Sequence, residues 1–240
     1  TQNLTPLPHK ELNNYTMKKD LSSQIKLDRI PRRYYNPDSE IELTALRREE
    51  KIDTHVFETA NDGGEYLAQQ LAKYINRYTD RKGKCVLALG AGNSTHRVYA
   101  SLIQLFKEGK VSFKNVVVFN ISEFFPLNPE GPSTLARLQE VFLQHIDIPA
   151  ENVHTIDPQI TKETMHEYCQ AYEQAMADEG GIDVALCEIA TDGTIAFNEP
   201  GTSAASICRL VLLNEQTRQR ISKDYKVDEA PTTAITLGIS

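Results

Sequence analysis

The 240-residue chain is poor in basic side chains and has no long apolar segment. Its 33 Asp and Glu residues outnumber its 26 Lys and Arg residues, which gives a formal net charge of -7. Binding to a polyphosphate backbone needs clustered positive charge, so we expect no nucleic-acid partner. No apolar run reaches the roughly 18 residues that span a bilayer, and the polar N-terminal sequence lacks the apolar core of a signal peptide. We therefore expect no membrane partner.

Cysteine is also scarce, and the few cysteines form no C-x-x-C pair. Three of the four lie in apolar or helical surroundings, as buried thiols in a reducing compartment do, which predicts a cytoplasmic protein. The histidines at 145, 154 and 166 show no metal-ligand spacing with cysteine or acidic residues, so we expect no metal site. The cysteines are Cys85, Cys169, Cys187 and Cys208.

Residues 1 to about 55 carry many basic side chains, Pro and Asn, and show little periodicity. They predict either an N-terminal extension that lies on a domain or an oligomer partner, or a partly ordered tail. A single domain over residues 56–240 is expected to follow. The chain begins without Met and ends at TLGIS, which leaves open a protein that is processed or truncated at the C-terminus.

Short apolar runs alternate with amphipathic segments from Val56 onward. This order is typical of a doubly wound α/β fold, Rossmann-like, with a largely parallel sheet and helices on both faces. A helix is predicted around Tyr66–Tyr78, where apolar residues recur at helical spacing. Further helices are predicted at 96–107, 134–146 and 162–178, and strands at 85–90, 115–120, 152–156, 182–189 and 232–239.

Three segments rich in polar and small residues follow predicted strands: GAGNST (90–95), NISEFF (120–125) and ATDGTIAFNEPGTS (190–203). In parallel sheets, ligands bind beyond the carboxyl ends of the strands, so we expect these segments to converge on one site. GAGNST could hold a phosphate at the start of a helix, or it could be a tight turn with a helix cap. It matches neither the Walker pattern nor G-x-G-x-x-G.

Asp192 and Glu199 are seven residues apart in the third segment. They could face one cavity in different protonation states, or they could belong to ordinary Asp-Gly and Glu-Pro turns. Glu123, in the second segment, could likewise be a catalytic base or an exposed or capping residue. The residue types alone leave both readings open.

The runs KEGKVSFKNVVVFN, HIDIPAENVHTID and DGTIAFNEPGTSAAS, in this order, resemble the glucosamine-6-phosphate deaminase family, also called glucosamine-6-phosphate isomerases. The similarity extends over roughly Val56–Ser240. The related 6-phosphogluconolactonases share the fold but would be expected to follow Asp-Gly with a His-Thr-Ala-Ser type of sequence. IAFNEP therefore favours the amino-sugar branch.

The resemblance implies conversion of an amino-sugar phosphate to a ketose phosphate and ammonia, without metal or organic cofactor. The position of the aspartate that shuttles a proton between C2 and C1 is occupied by Ser122, and the neighbouring glutamate is Glu123. The relay that opens the sugar ring maps onto Asp192 and Glu199, with Thr194 in the place of its histidine.

Two expected chemical groups are thus absent. A serine hydroxyl is no resting base near neutral pH without a partner that accepts its proton, and threonine does not titrate as imidazole does. Glu188 and Ala190 also replace glycines of the family pattern, and so add side chains where a substrate or backbone would have to come close. A base at Glu123, re-aimed by a bulge, is a conceivable substitute for the missing aspartate.

The residues expected to bind the phosphate match the family pattern better than the residues expected to transfer protons. The resemblance assigns phosphate binding to the turn of GAGNST and to Lys223, where the family usually has Arg; lysine keeps the charge but loses the bidentate fork. His96, at the start of the next helix, is expected to be a cap or an anion contact. The turn residues are Gly92, Asn93, Ser94 and Thr95.

Two functions follow as hypotheses. The first is a cytoplasmic aldose-ketose isomerase and deaminase that uses Asp192 and Glu199 in ring opening. The second is a paralogue that keeps the sugar-phosphate pocket but has lost the proton-transfer groups, and serves as a sensor or a structural part of an assembly. In both cases the expected partners are a small-molecule sugar phosphate and, because the family commonly forms homo-oligomers, further copies of the chain.

Overall fold

A computed structural model describes residues 39–48, 52–128, 130–157 and 160–240. Most of the predicted N-terminal extension, residues 1–38 and 49–51, lies outside these ranges. The chain divides into two compact units, Thr1–Ala60 and Asn61–Ser240. In the described part of the first unit, helix α1 (Glu40–Arg47) begins at Ser39, whose hydroxyl accepts a hydrogen bond from the Glu42 amide at 3.2 Å.

The second unit contains a four-stranded parallel sheet built from β1 (Cys85–Leu89), β2 (Val116–Asn120), β4 (Val153–His154) and β5 (Val184–Leu186). The strand order in this sheet is β4-β2-β1-β5. Continuous apolar sequence explains the central strands, because all five residues of β1 and of β2 are buried. The chain runs from β1 through β2 to β4 in one direction, and β5 lies on the other side of β1. This is the doubly wound topology that the alternating pattern predicts.

Helices cover both faces of this sheet, as predicted. On one face, α2 (Ala60–Lys82), α3 (Thr95–Lys107) and α4 (Thr134–Val141) pack on the residues of β1 and β2 that point towards them. On the opposite face, α5 (Met165–Asp178) packs on the alternate residues, among them Val86 and Phe119. Because side chains alternate across a strand, each strand contributes to both apolar cores.

A second, three-stranded antiparallel sheet shares the face on which α5 packs. Its order is β3-β7-β6, built from β3 (Ser122–Phe125), β6 (Arg209–Leu212) and β7 (Thr233–Thr236). The sequence predicts β7 as a strand but treats residues 122–125 as a loop. The pairing of β3 with β7 joins segments about one hundred residues apart, and no local pattern encodes it.

The helix α6 (Glu215–Tyr225) is absent from the sequence prediction. Its sequence, EQTRQRISKDY, has few apolar residues, and only Thr217 and Ile221 are buried. Several predicted elements are also shorter than expected, among them the strand over 232–239, which contains only Thr233–Thr236, and the helix over 162–178, which begins at Met165. The helix over 134–146 ends at Val141 and continues as a 3-10 turn, Leu143–His145, and the strands over 152–156 and 182–189 contain only the residues of β4 and β5.

None of the helices in the described ranges has both the length and the apolar character needed to cross a membrane.

Candidate functional site

The neighbouring strands β1 and β5 end side by side at the point where the strand order reverses. In doubly wound sheets a crevice for ligands forms at this point. The loop after β1 contains GAGNST and leads into α3, and the loop after β5 contains CEIATDG. Direct contacts between the two loops come from a residue that precedes the segment 190–203, which the sequence analysis expected to converge with GAGNST.

Glu188 makes those contacts. Its Oε1 accepts hydrogen bonds from the Ser94 hydroxyl and from the Thr95 amide, the latter at 2.8 Å. Its carboxylate also lies so close to Gly92 that a Cβ at that position would overlap it. Only glycine fits at position 92 with Glu188 in this place, and the GAGNST turn therefore encloses a carboxylate of the same chain.

The loop is held from two further sides by residues that the sequence analysis did not select. The Asn93 side-chain amide donates through its nitrogen to Asp224 Oδ1 of α6 at 2.7 Å, and its oxygen accepts from the Arg137 guanidinium of α4 at 2.6 Å. The Arg137 guanidinium also lies over the Tyr225 ring, 4.8 Å from its centroid. Lys223, predicted to bind phosphate, lies on α6 one residue before Asp224 and is exposed.

His96, in the first turn of α3, is half-buried beside this loop. Burial lowers the pKa of its imidazole, and the positive charge of Arg137 lowers it further. The carboxylates of Glu188, Glu140 and Asp224 oppose this change without cancelling it. His96 is therefore favoured in its neutral form, which suits a polar contact better than an ion pair with an anion.

Asp192 and Glu199 meet at one residue, Asn214, which is the N-cap of α6. The Asn214 backbone amide donates to Glu199 Oε1 at 2.8 Å. The Asn214 side chain lies near enough to the Asp192 carboxylate to stabilise its ionised form. Asp192 Oδ1 also accepts from the Thr194 amide at 3.0 Å across the Asp-Gly turn. Gly193, at φ 87°, supplies the left-handed conformation of that turn.

Burial raises the pKa of the Asp192 carboxyl, but hydrogen bonds from Thr194 and Asn214 stabilise its ionised form and outweigh that effect. Its pKa consequently lies below the usual value. Asp192 is thus present as a carboxylate at neutral pH.

Thr194, in the place of the family's histidine, is 1% exposed. Its backbone carbonyl accepts from the Ala190 amide at 2.9 Å, which closes the turn around Asp192.

Residues 197 and 198 anchor the FNEPGTS block to the antiparallel sheet. The Phe197 ring packs on Phe124 with centroids 5.5 Å apart. The Asn198 side-chain amide donates through its nitrogen to the Leu237 carbonyl at 2.8 Å, and its oxygen accepts from the Arg209 guanidinium at 2.8 Å. These contacts fix the loop that carries Asp192 and Glu199 against β6 and β7.

Ser122 and Glu123 lie in β3, and the Glu123 carboxylate is bound by residues at the start of α4 rather than by the loop that carries Asp192. The Glu123 carboxylate is 2% exposed and accepts four hydrogen bonds. The donors are the Phe124 amide at 2.8 Å, the Ser133 hydroxyl at 2.7 Å, the Thr134 amide at 3.0 Å and the Leu135 amide at 3.0 Å. The carbonyl of the buried Ser122 accepts from the Asn120 side-chain amide at 2.9 Å.

The site chemistry is therefore that of carboxylates, hydroxyls and one partly buried imidazole. Across the described residues, no group of three or more His, Cys, Asp and Glu side chains is arranged to hold a metal ion.

Comparison with known proteins gives the family. The family model described as glucosamine-6-phosphate isomerases/6-phosphogluconolactonase matches residues 58–235. A putative glucosamine-6-phosphate deaminase-like protein of Bacteroides thetaiotaomicron is 43% identical over 226 residues, which cover 93% of this chain and 34% of that protein. The chain thus spans about a third of the length of that relative. The glucosamine-6-phosphate isomerase of Candida albicans is 38% identical, with 77% of this chain and 74% of that protein covered.

Comparison with solved structures supports the same family and fold. A monomeric glucosamine-6-phosphate deaminase superposes with a TM-score of 0.70 at 31% identity, covering 76% of this chain and 74% of that chain. A 6-phosphogluconolactonase from Thermotoga maritima, at 16% identity and a TM-score of 0.55 over 73% of this chain and 72% of that chain, shares the fold. Together with the family-model match, these similarities show that the chain belongs to the glucosamine-6-phosphate isomerase/6-phosphogluconolactonase family.

Proposed function

We propose that the chain takes part in amino-sugar phosphate metabolism, as a glucosamine-6-phosphate deaminase-like protein that acts on or binds a sugar phosphate. The observation that carries this proposal is the convergence of Asp192 and Glu199 on Asn214. The resemblance assigns these two carboxylates to ring opening, and the lowered pKa of Asp192 keeps it ionised and able to accept a proton at neutral pH. Gly92, Asn93, Ser94, Thr95 and Lys223 remain the proposed phosphate-binding residues.

A second candidate, binding without turnover, is favoured by the residues at the proton-transfer positions. Ser122 and Thr194 are both buried, and neither side chain titrates near neutral pH. Glu123 is a poor substitute base, because its carboxylate is enclosed and already accepts four hydrogen bonds from the start of α4. Its geometry is that of a helix cap.

The solution state is part of the same proposal. We expect a cytoplasmic homo-oligomer without a nucleic-acid partner. All four cysteines are free and three of them are buried, which suits a reducing compartment.

The experiment that separates the two candidates measures ammonia release from glucosamine 6-phosphate and, in parallel, binding of the same ligand by calorimetry. If the chain is an enzyme, Asp192→Asn abolishes turnover, whereas Asp228→Asn, which removes an exposed carboxylate, leaves it unchanged. If the chain only binds, the wild type binds without turnover, and the double variant Ser122→Asp with Thr194→His gains turnover. If protein shown by circular dichroism to be folded neither binds nor turns over glucosamine 6-phosphate, the proposed function is overturned.

A further inference from the structure

A side chain from another part of the fold accepts hydrogen bonds from the first turn of α3. The N-cap residue, Ser94, does not cap the helix with its own hydroxyl. Its hydroxyl instead donates to Glu188, and the Thr95 amide donates to the same oxygen at 2.8 Å. Glu188, from the loop after β5, has replaced the usual cap at this helix start.

The other Glu188 oxygen lies against Gly92, where a Cβ would overlap it. The carboxylate therefore fills the concave side of the turn and uses its hydroxyl and amide donors. A phosphate placed in this turn would need the same space and the same donors. It would also meet a second negative charge at contact distance, in a partly buried position where charges are poorly screened.

We propose that Glu188 is a built-in anion that excludes phosphate groups from the Gly92–Thr95 turn, so that a phosphate enters only when the Glu188 side chain leaves. This inference rests on the proposed function, because it concerns the turn to which sugar-phosphate binding is assigned. Glu188 is thus a specificity-determining residue. A ligand whose phosphate binds in this turn must first displace the Glu188 carboxylate.

The surroundings of the turn would still suit an anion once Glu188 is gone. Arg137 holds Asn93 at 2.6 Å, which keeps a guanidinium at the edge of the turn. The Ser94 hydroxyl and the Thr95 amide would be free, and they lie at the positive end of the α3 dipole. Replacing Glu188 therefore opens an anion site instead of merely removing a contact.

The test is a titration with inorganic phosphate, at constant ionic strength, of the wild type, Glu188→Gly and Glu188→Gln. We expect Glu188→Gly to bind phosphate at least about tenfold more tightly than the wild type, measured by calorimetry and by the rise in Tm. Glu188→Gln keeps a side chain in the turn without the charge, and we expect it to bind with an affinity between the two. Glu167→Gln, which removes an exposed carboxylate from α5, is the matched control and should behave as the wild type.

Equal phosphate affinity in the wild type and Glu188→Gly would overturn the proposal. So would an absence of phosphate binding in Glu188→Gly, provided that circular dichroism shows this variant and Glu188→Gln to be folded. A parallel titration with glucosamine 6-phosphate tests the proposed function separately. If the protein binds the sugar phosphate equally well with and without Glu188, the proposed function stands and the role of Glu188 is overturned. If Glu188→Gly binds inorganic phosphate but no variant binds the sugar phosphate, the role of Glu188 is supported and the proposed function is overturned.

Discussion

Asp192 is the residue in which local turn chemistry and the proposed reaction coincide. The Asp-Gly turn places its carboxylate against the Thr194 amide, and the same carboxylate reaches the Asn214 side chain at the start of α6. Hydrogen bonds from these groups lower its pKa. The contacts that would keep Asp192 ionised for catalysis therefore also stabilise the fold.

This stabilisation has a defined pH dependence. Because the pKa of Asp192 is lower in the folded state than in the unfolded chain, its contribution is present above the unfolded value, for which 3.8 is the reference, and is lost as the pH falls through the folded value. We expect the free energy of unfolding of Asp192→Asn to fall less steeply than that of the wild type between pH 5 and pH 2. Urea denaturation at a series of pH values measures this. The control Asp228→Asn should follow the wild type, and a slope of Asp192→Asn identical to the wild type's would contradict the assignment.

The residues of the candidate site are predictable from the sequence to different degrees. Asp192 and Glu199 stand in a recognisable block, and their spacing allowed them to face one cavity without requiring it. Glu188 could be identified as a departure from a glycine, but not as a residue that crosses from β5 to the start of α3. Arg137 and Asp224 gave no signal, because they reach Asn93 only through the packing of α4 and α6.

At the scale of single elements, Glu123 shows how a carboxylate at a strand end can serve the fold. It lies in β3, yet its hydrogen bonds run to the first residues of α4, and so it links the antiparallel sheet to a helix of the parallel layer. Buried acceptors of this kind are costly to disturb, since each donor left without a partner keeps its desolvation penalty.

We therefore expect Glu123→Gln to lower the free energy of unfolding by about 1–3 kcal/mol, because an amide cannot accept all the hydrogen bonds that the carboxylate accepts. Ligand binding by the remaining folded protein should be unchanged. Urea denaturation and calorimetry measure the two quantities, with Glu167→Gln as the exposed control. A loss of turnover with full stability would instead indicate that Glu123 takes part in the chemistry.

The sequence pattern predicts some helices and strands much more clearly than others. The strands β1 and β2 are continuous apolar runs, buried on both faces, and were predicted to within a residue at each end. Residues 209–212 alternate between half-buried and exposed, and α6 buries only two side chains, so neither segment has a strong pattern. Tertiary contacts, such as the pairing of β6 with β7, stabilise these weaker elements.

At the scale of the whole molecule, the fold class was predictable because a parallel α/β layer repeats the same local pattern. The antiparallel sheet was not, since β3 is far in sequence from β6 and β7 and the strand order, β3-β7-β6, appears only in the folded state. The candidate site lies along the loops that join these two parts: Asp192, Thr194 and Glu199 belong to the loop that Phe197 and Asn198 fasten to the antiparallel sheet.

The division of the chain at Ala60 makes a prediction about its N-terminal part. All described residues of the three apolar cores lie between Ala68 and Ile235, within the second unit. A variant that lacks residues 1–51 keeps α2 whole, and we expect it to unfold cooperatively with a Tm within a few degrees of the full chain's, because burial of these cores supplies most of the stability. A variant that lacks residues 1–71 is the matched control: it loses Ala68 and Leu71 from the core, and deleting buried apolar side chains costs roughly 2–5 kcal/mol for a leucine alone. Circular dichroism during thermal unfolding compares the three proteins. Loss of cooperative unfolding on removal of residues 1–51 would show that the first unit is required for the fold of the second.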